Sequence, residues 1–480
     1  MRDMCVTKAV AFAVLLVFPL LAGAQAKRPD DIWYPALREF DIPQPTRVEL
    51  PNGMVLMLLE DHELPLVGGT ILVRTGSVLE PEDKVGLASL TGTVMRTGGT
   101  TTHSPDMIDD FLENRAASIE TSIGISSGRV SVSALKDDFP EVLALMVDIL
   151  RNPYFDEGRL AVAKNRVNSM IARQNDDPLG IMFREFADVI YGPESPYARE
   201  SDYLSIANTT RDDLVTFHRD YFHPNNFVMG LVGDFQTDEM VELISEAFAD
   251  WEAGPSAPDL VGDYRRHVEP AVYYIPKEDM TQSDITMGHL GIRHDDPDYV
   301  ALQLLNEVFS GGFASRLFTR IRSKQGLAYS VRGSVGSGWD HDGLFQMWMT
   351  TKVETTGAGI EALIREAKNL ITEPPTAEEV ERARESILNS FVFNSDSPSK
   401  ILGQQLVFEY YGYPLDWLDR YQQAVRETTV EDVRQAARTH IHPDKFAIMV
   451  VGPSEGHDRP LTDFGPVSEI DISIAPPPGQ

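Results

Sequence analysis

One stretch of the sequence begins like a zinc-binding motif. His62-Glu63-Leu64-Pro65-Leu66 starts as H-E-x-x-H, in which two histidines one helical turn apart bind zinc and the glutamate acts as the base. The second histidine is missing, and Pro65 would break the helix that must present both ligands on one face. We therefore expect no metal site at His62.

The other histidines are spaced for structural roles. His218 and His223 are five residues apart, which does not place them on one helical face. His223 and His442 precede apolar runs at equivalent positions of two similar segments, so we expect them to support turns. No glutamate at a recognisable ligand spacing accompanies His289, His294 or His341.

Motifs for nucleophilic catalysis and nucleotide binding are absent. No G-x-S-x-G occurs, and residues 333–338 (GSVGSG), which come nearest, have the wrong spacing. No P-loop and no strand-linked G-x-G-x-x-G is found either. The sequence therefore lacks the common signatures of a hydrolase nucleophile or a nucleotide site.

The composition excludes further classes of protein. The 480 residues carry 42 Lys+Arg against 73 Asp+Glu, a formal net charge of −31. Such a chain lacks the clustered cations that bind nucleic acid, so no nucleic-acid partner is expected. The single cysteine excludes a disulfide framework and any zinc module that needs two or more cysteines.

Residues 1–26 have the pattern of a secretory signal peptide. Arg2 and Lys8 form a basic start, residues 9–22 are continuously apolar, and residues 24–26 (AQA) match a cleavage site. The apolar run is shorter than the roughly 20 residues of a transmembrane helix, although an uncleaved anchor is the alternative. We expect an exported, periplasmic protein without a stable membrane anchor, from which the sole Cys5 is removed with the signal.

The remainder of the chain is an internal duplication. Residues 209–233 and 428–452 align without gaps, with nine identities in 25 positions. Tyr191-Gly192 also matches Tyr411-Gly412 at nearly the same offset. A period near 220 residues is too long for a solenoid repeat and indicates two homologous domains.

The boundary between the copies is expected at residues 252–266, which have the Pro, Gly, Ser and Asp content of a linker. This predicts an N-terminal domain over residues 27–251, a C-terminal domain over 267–465, and a flexible tail over 466–480.

Each half interleaves two kinds of pattern. Residues 128–134 alternate as a half-buried strand does, whereas residues 139–150 and 377–391 have apolar residues at helical spacing. We therefore expect an α/β fold of two homologous domains of about 220 residues, each a mixed β-sheet covered by helices.

Several spaced motifs carry a family resemblance. The first half has L-P-N-G at residues 50–53, G-S-x-x-E at 76–80 and G-L-A at 86–88; the second has GGFASRL at 311–317, Arg322, and GLAYSV at 326–331. In this order they resemble the insulinase/pitrilysin family, which includes the mitochondrial processing peptidase and its bacterial relatives. The resemblance covers nearly the whole mature chain and implies a clamshell of peptidase-like domains.

The resemblance also shows what this sequence lacks. Active members carry H-x-x-E-H just after the G-L-A segment, and here Ser89 and Thr93 replace the histidines while Gly92 replaces the catalytic glutamate. The family's third ligand is a glutamate some 75 residues downstream, but residues 165–171 (NRVNSMI) contain none. Since hydroxyls are poor zinc ligands and glycine cannot accept a proton, we expect this chain to bind no metal.

A second part of the family's active site is present. In active relatives an arginine and a tyrosine seven residues apart grip the substrate backbone and stabilise the oxyanion, and Arg322 and Tyr329 match that pair in spacing and context. A guanidinium and a phenol are suitable donors for developing negative charge. Without the motif, a solvated arginine and a core tyrosine would be the simpler interpretation.

The resemblance therefore suggests the zinc-less subunit of a periplasmic, heterodimeric metalloendopeptidase. The chain would be inactive alone and would act on peptides or unfolded proteins with a homologous partner that supplies zinc. The alternatives are a catalytically inactive scaffold or a peptide-binding protein of the same fold.

Overall fold

Two six-stranded mixed sheets, one from each half of the chain, form the framework of the protein. The computed structural model describes residues 43–479, so the predicted signal peptide lies outside the described residues. The described residues belong to one compact unit.

The first sheet has the strand order β1-β2-β6-β3-β5-β4. Strands β2 and β6 are parallel and the other pairs are antiparallel. The central strand β6 is buried along its whole length, which explains its continuous apolar sequence. The strands are β1 (Thr46–Glu49), β2 (Val55–Glu60), β3 (Leu66–Val73), β4 (Ser118–Ile123), β5 (Gly128–Leu135) and β6 (Phe227–Gly233).

The second sheet has the order β10-β12-β8-β13-β7-β14, and a small parallel pair β9–β11 lies apart from it. Strands β7 and β13 are parallel, as are β2 and β6 in the first sheet. The strands are β7 (Ala271–Pro276), β8 (Gln282–Leu290), β9 (Ile292–Arg293), β10 (Ser330–Val335), β11 (Ser337–Gly338), β12 (Leu344–Lys352), β13 (Ala447–Gly452) and β14 (Val467–Glu469).

The two sheets repeat one topology, which confirms the predicted fold of two homologous mixed sheets. The order β2-β6-β3-β5-β4 of the first corresponds to β7-β13-β8-β12-β10 of the second. The helices before the central strands β6 and β13 also begin alike, because Thr210 and Thr429 each form a capping box with an aspartate three residues later.

Fourteen α-helices lie within residues 43–479. Those of the first half are α1 (Leu87–Thr97), α2 (Pro105–Glu113), α3 (Phe139–Arg151), α4 (Glu157–Ile171), α5 (Pro178–Tyr191), α6 (Tyr203–Asn208), α7 (Arg211–Tyr221) and α8 (Thr237–Ala247). Those of the second half are α9 (Tyr299–Ser310), α10 (Thr356–Thr372), α11 (Ala377–Asn394), α12 (Pro398–Tyr411), α13 (Trp417–Glu427) and α14 (Val430–His440).

One equivalent helix from each half covers the sheet of the other half. Helix α5 packs Phe186 and its apolar neighbours against β8 and β13 of the second sheet. Helix α12 packs Leu402, Leu406 and Tyr410 against β2, β3 and β6 of the first. A Cβ at Gly230 in β6 would lie 2.6 Å from Leu406, so the glycine allows this close approach. The exchange joins the two halves through buried apolar surface.

The C-terminal segment differs from the flexible tail predicted for residues 466–480. Strand β14 pairs with β7, and the Ile470 N–H donates to the Tyr274 carbonyl (2.8 Å). Ile470 and Ile472 then pack beside α5, and Ile474 packs on the core of the first half. Isoleucine at every second position is a strand-like pattern that the terminal Pro-Pro-Pro obscures.

Candidate functional site

Helix α1 carries the three positions that correspond to the zinc motif. Its start is held by Glu80, which is 6% exposed and accepts hydrogen bonds from the backbone N–H groups of Gly86 and Ala88. Burial raises the pKa of this carboxyl. Ser89 and Thr93 are exposed on the helix, whereas Gly92 is buried.

Gly92 lies against the backbone of edge strand β4. A Cβ at this position would lie 2.6 Å from the Ile123 nitrogen and 2.8 Å from the Ser122 carbonyl carbon. The Thr121 hydroxyl also donates to the Gly92 carbonyl at 2.5 Å. Because backbone atoms cannot move aside as a flexible side chain can, the position of the family's catalytic glutamate has no room for any side chain.

Arg322 and Tyr329 lie in the crossover that leads to β10, the edge strand of the second sheet. Arg322 belongs to a π-helical segment (Phe318–Gln325), a rare conformation that is frequent at functional sites. The segment ends at Gly326 with φ 65°, a left-handed conformation that favours glycine. Tyr329 directly precedes β10.

The structure brings Arg322 and Tyr329 together on the surface. The Arg322 guanidinium carbon lies 4.6 Å from the centroid of the Tyr329 ring and 4.6 Å from that of Phe318. Tyr329 is 80% exposed. Among residues 43–479, neither the guanidinium nor the phenol hydrogen-bonds to another residue, so both keep their donors for a bound group. The catalytic role of the pair stays a prediction.

Arg316 anchors the beginning of this segment. Its guanidinium forms a forked ion pair with Glu379 (2.9 and 2.7 Å) and donates to the Glu373 carbonyl at 2.7 Å. The pair is largely buried, and the hydrogen bonds from Arg316 lower the pKa of Glu379 to about 2. Sequence reasoning missed this role, because the partner is 63 residues away.

Further contacts anchor the segment on α10 and β12. Arg320 pairs with Glu366 (3.1 Å), and Arg365 donates to the Gln325 side chain (2.8 Å). The Thr351 hydroxyl donates to the Leu327 carbonyl at 2.7 Å. Arg322 and Tyr329 therefore project from a segment that is held on three sides.

Comparison with known protein families identifies both halves. Residues 56–189 match the model described as Insulinase (Peptidase family M16), and residues 208–387 match the one described as Peptidase M16 inactive domain. The two matches together cover about two thirds of the chain and follow the order of the duplication.

The chain belongs to peptidase family M16. This confirms the resemblance seen in the motifs.

Curated relatives match over most of both chains. An uncharacterized zinc protease of Rickettsia bellii is 24% identical over 422 residues, which are 85% of this chain and 97% of the relative. A non-peptidase homolog, YmxG, of Helicobacter pylori is 22% identical over 414 residues, 85% of this chain and 94% of the relative.

Solved structures share the fold. A peptidase M16 inactive domain from Pseudomonas fluorescens superposes with a TM-score of 0.79 at 24% identity and covers 86% of this chain and 99% of its own. The periplasmic protease PqqL from Escherichia coli superposes with a TM-score of 0.73 at 15% identity, over 87% of this chain and 46% of its own.

The residues at the M16 zinc positions do not fit a zinc ion. Ser89 and Thr93 offer only hydroxyls, and α4, which packs on α1, has its only glutamate, Glu157, in its first turn. Within residues 43–479, the one group of three potential ligands with atoms close together is Asp296, Asp298 and His440, in the second half of this M16 chain.

The histidines occupy structural positions in this M16 chain. His62 lies between Asp234 (2.6 Å) and Glu60 (3.2 Å), and its hydrogen bond with Asp234 raises its pKa. Burial lowers the pKa of His218, His289 and His294 to about 4 each. The Nε2 atom of His289 accepts from the His442 N–H at 3.0 Å, which supports the turn before β13.

No helix between residues 43 and 479 combines the length and the apolar character needed to cross a membrane.

Proposed function

We propose that this M16 chain is the zinc-less subunit of a periplasmic two-chain metalloendopeptidase. A homologous partner would supply the zinc and the glutamate base, and this chain would supply Arg322 and Tyr329. The observation that carries the proposal is the stack of the half-buried Arg322 on the exposed Tyr329. The donors of both side chains are uncommitted within residues 43–479, although the segment beneath them is firmly anchored. Exposed side chains that serve no internal contact are expected where a ligand or partner binds.

The position of Tyr329 suggests how a peptide would approach. Within residues 43–479, strand β10 has a neighbouring strand on one side, β12. On its other edge the N–H groups of Gly333 and Val335 already donate to the side chains of Ser310 and Asn306 (2.9 and 3.2 Å), so a peptide would meet the beginning of the strand, directly after Tyr329. An extended peptide could add to this edge and place a carbonyl near the phenol and the guanidinium. The permanent fork of Arg322 and the directed O–H of Tyr329 would then stabilise the oxyanion formed at the partner's zinc site.

Charge suggests the class of peptide. A chain with formal net charge −31 attracts basic segments and repels acidic ones. We therefore propose basic or unfolded peptides as substrates.

Export is proposed on two grounds. Residues 1–26 have the order of basic, apolar and small residues that signal peptides share. PqqL, whose fold is similar, is a periplasmic protein.

A direct experiment is to purify the chain alone and together with an M16 paralogue that carries H-x-x-E-H. We expect no peptide cleavage and no stoichiometric zinc in the chain alone, and cleavage with one zinc per heterodimer in the complex. Full activity of the isolated chain would contradict the proposal.

The second candidate is a scaffold or peptide-binding protein without a catalytic role. It is favoured by the name of the Helicobacter pylori relative, a non-peptidase homolog, and by the match to the inactive domain. Peptide affinity without turnover in any pairing would support it over the first candidate.

A further inference from the structure

A cavity of about 400 Å³ lies where the two halves of the chain meet, away from Arg322 and Tyr329. Its wall includes Arg74 at the end of β3, residues 257–261 between the halves, Asp340 in the turn before β12, and residues 410–413 at the end of α12. The size is within the range of small-molecule sites.

Arg74 brings an unneutralised positive charge to this cavity. Its guanidinium carbon lies 5.1 Å from the centroid of the Tyr410 ring. Among residues 43–479, Arg74 has no carboxylate within ion-pair distance, whereas Arg293, on another side of the cavity, is paired with Asp295 (2.9 Å). A guanidinium that lines a cavity and has no carboxylate at ion-pair distance is a ready site for the carboxylate of a ligand.

Asp340 brings the opposite charge, and it is also incompletely satisfied. Its side chain is only 10% exposed, and its Oδ1 atom hydrogen-bonds with His341 at 2.7 Å. Its Oδ2 atom is buried and has no hydrogen-bond partner of good geometry among the described residues, although the Ser126 side chain lies close enough to interact with the carboxyl. A buried carboxylate oxygen without a donor is costly, so a donor from a bound group would stabilise it.

The remaining wall is aromatic and rigid. Trp339 stacks on Tyr411 (5.7 Å between ring centroids) and on His294 (3.8 Å), and Tyr413 meets its edge at 5.1 Å. The Tyr410 hydroxyl donates to the Ser126 carbonyl at 2.6 Å, which fixes the end of α12 against the first sheet. The wall therefore suits a ligand with an apolar or aromatic body.

We propose that this cavity binds a small zwitterion of the amino-acid or dipeptide class, with its carboxylate on Arg74 and its ammonium group on Asp340. A purely anionic or cationic ligand would satisfy only one of the two charges. Because the wall is built from both halves and the segment between them, the bound ligand would link the halves and raise the melting temperature.

Calorimetric titration of the full-length mature chain, without any partner subunit, tests the site. The probes are L-phenylalanine, the dipeptide Ala-Phe, its N-acetyl form and its C-terminal amide. We expect Ala-Phe to bind at least about 10-fold more tightly than either blocked form, because each blocked form loses one charge-assisted contact. Tighter binding of L-phenylalanine than of Ala-Phe would assign the site to free amino acids within the proposed class.

Two variants assign the contacts. Arg74→Gln should abolish the preference for Ala-Phe over its C-terminal amide. Asp340→Asn should abolish the preference for Ala-Phe over its N-acetyl form. Arg219→Gln, at an exposed arginine on α7, is the matched control and should bind as the wild type does. If Asp340→Asn does not fold, Arg74→Gln still tests the proposed contact between Arg74 and the ligand carboxylate.

The proposal would be overturned if no probe binds at about 10 mM, which is about 10-fold above a dissociation constant of 1 mM. It would also be overturned if the blocked and the free dipeptides bind equally. Either result leaves the proposed role of Arg322 and Tyr329 untouched, because no zinc subunit takes part in the measurement.

Discussion

The two crossovers that lead to the edge strands of the sheets have the same place in the duplicated fold and different surfaces. Arg322 and Tyr329 stand eight residues and one residue before β10; Asp110 and Ala117 stand at the same offsets before β4. The first crossover therefore has neither a cation nor a phenol at these positions. Conversely, its helix α1 has the zinc-motif positions.

The comparison shows that the first crossover is packed closely against its sheet, whereas the second exposes side chains to solvent. In the first, Gly92 allows α1 to lie directly on β4, which fills the space that a catalytic glutamate would need. In the second, buried ion pairs hold a segment whose outer side chains remain exposed. One crossover has the features of a packed structural element, and the other those of a binding surface.

The largest expected effect is on kcat, from a substitution in the second crossover. In the complex with a zinc-bearing partner, Arg322→Ala should lower kcat by about 10²–10³-fold, because one donor to the oxyanion is lost. Asp110→Ala, the exposed equivalent in the first half, is the matched control and should leave kcat unchanged. Peptide cleavage under saturating substrate measures both, and an unchanged rate in the Arg322→Ala complex would sink the proposed function.

The next effect concerns packing in the first crossover. Gly92→Ala should destabilise the protein by about 2–3 kcal/mol, since its Cβ meets the β4 backbone. Gly403→Ala, at a helical glycine in α12 with no atom within 4 Å of the added Cβ, should instead stabilise by about 0.5–1 kcal/mol. Urea unfolding compares the two, and equal midpoints would show that α1 can move away from β4.

The anchor of the second crossover should be pH-dependent. The pKa of Glu379 is lowered from its ordinary value of 4.5 to about 2, so its stabilisation is complete above pH 4.5 and is lost as the pH falls towards 2. Allowing for partial solvent screening, Glu379→Gln should cost about 2 kcal/mol at pH 7 and progressively less below pH 4.5.

Urea unfolding between pH 3 and 7 measures this dependence. Glu378→Gln, at the neighbouring exposed carboxylate, is the control and should be nearly neutral throughout. A cost for Glu379→Gln that is the same at pH 3 and pH 7 would mean that the ion pair with Arg316 contributes no stability.

The smallest effect is expected from restoring histidines to α1. The double variant Ser89→His and Thr93→His should fold, because both positions are exposed. It should retain less than about 0.1 zinc per chain after dialysis, since α4 supplies no third ligand and Gly92 leaves no space for the base. One zinc per chain by elemental analysis would show that the first crossover still holds a metal site.

Much of the fold was predictable from local patterns. The alternation in β5 is such a signal, and the structure confirms the predicted strand. The apolar run of β6 and the Thr-x-x-Asp starts of α7 and α14 are equally local signals, each within ten residues. The ordered C-terminal segment was missed, although Ile470, Ile472 and Ile474 alternate just after β14, because the pairing of β14 with β7 joins residues almost 200 positions apart.

The candidate site also has one part that the sequence predicts and another that only the structure shows. Arg322 and Tyr329 could be named from motif spacing, but the Arg316–Glu379 anchor and the closed position of Gly92 could not. Both depend on contacts between segments that are distant in sequence, and no local sequence pattern predicts such contacts. The charged cavity at Arg74 and Asp340 likewise exists only where the two halves meet.

The sequence by itself determined the duplication, the family motifs and the loss of zinc ligands, because these depend on residue identity and local spacing. Only the tertiary structure decided that α5 and α12 exchange sheets, that β4 closes the space at Gly92, and that Arg322 stacks on an exposed Tyr329. The physical reason is that burial and exposure are set by which distant segments pack together.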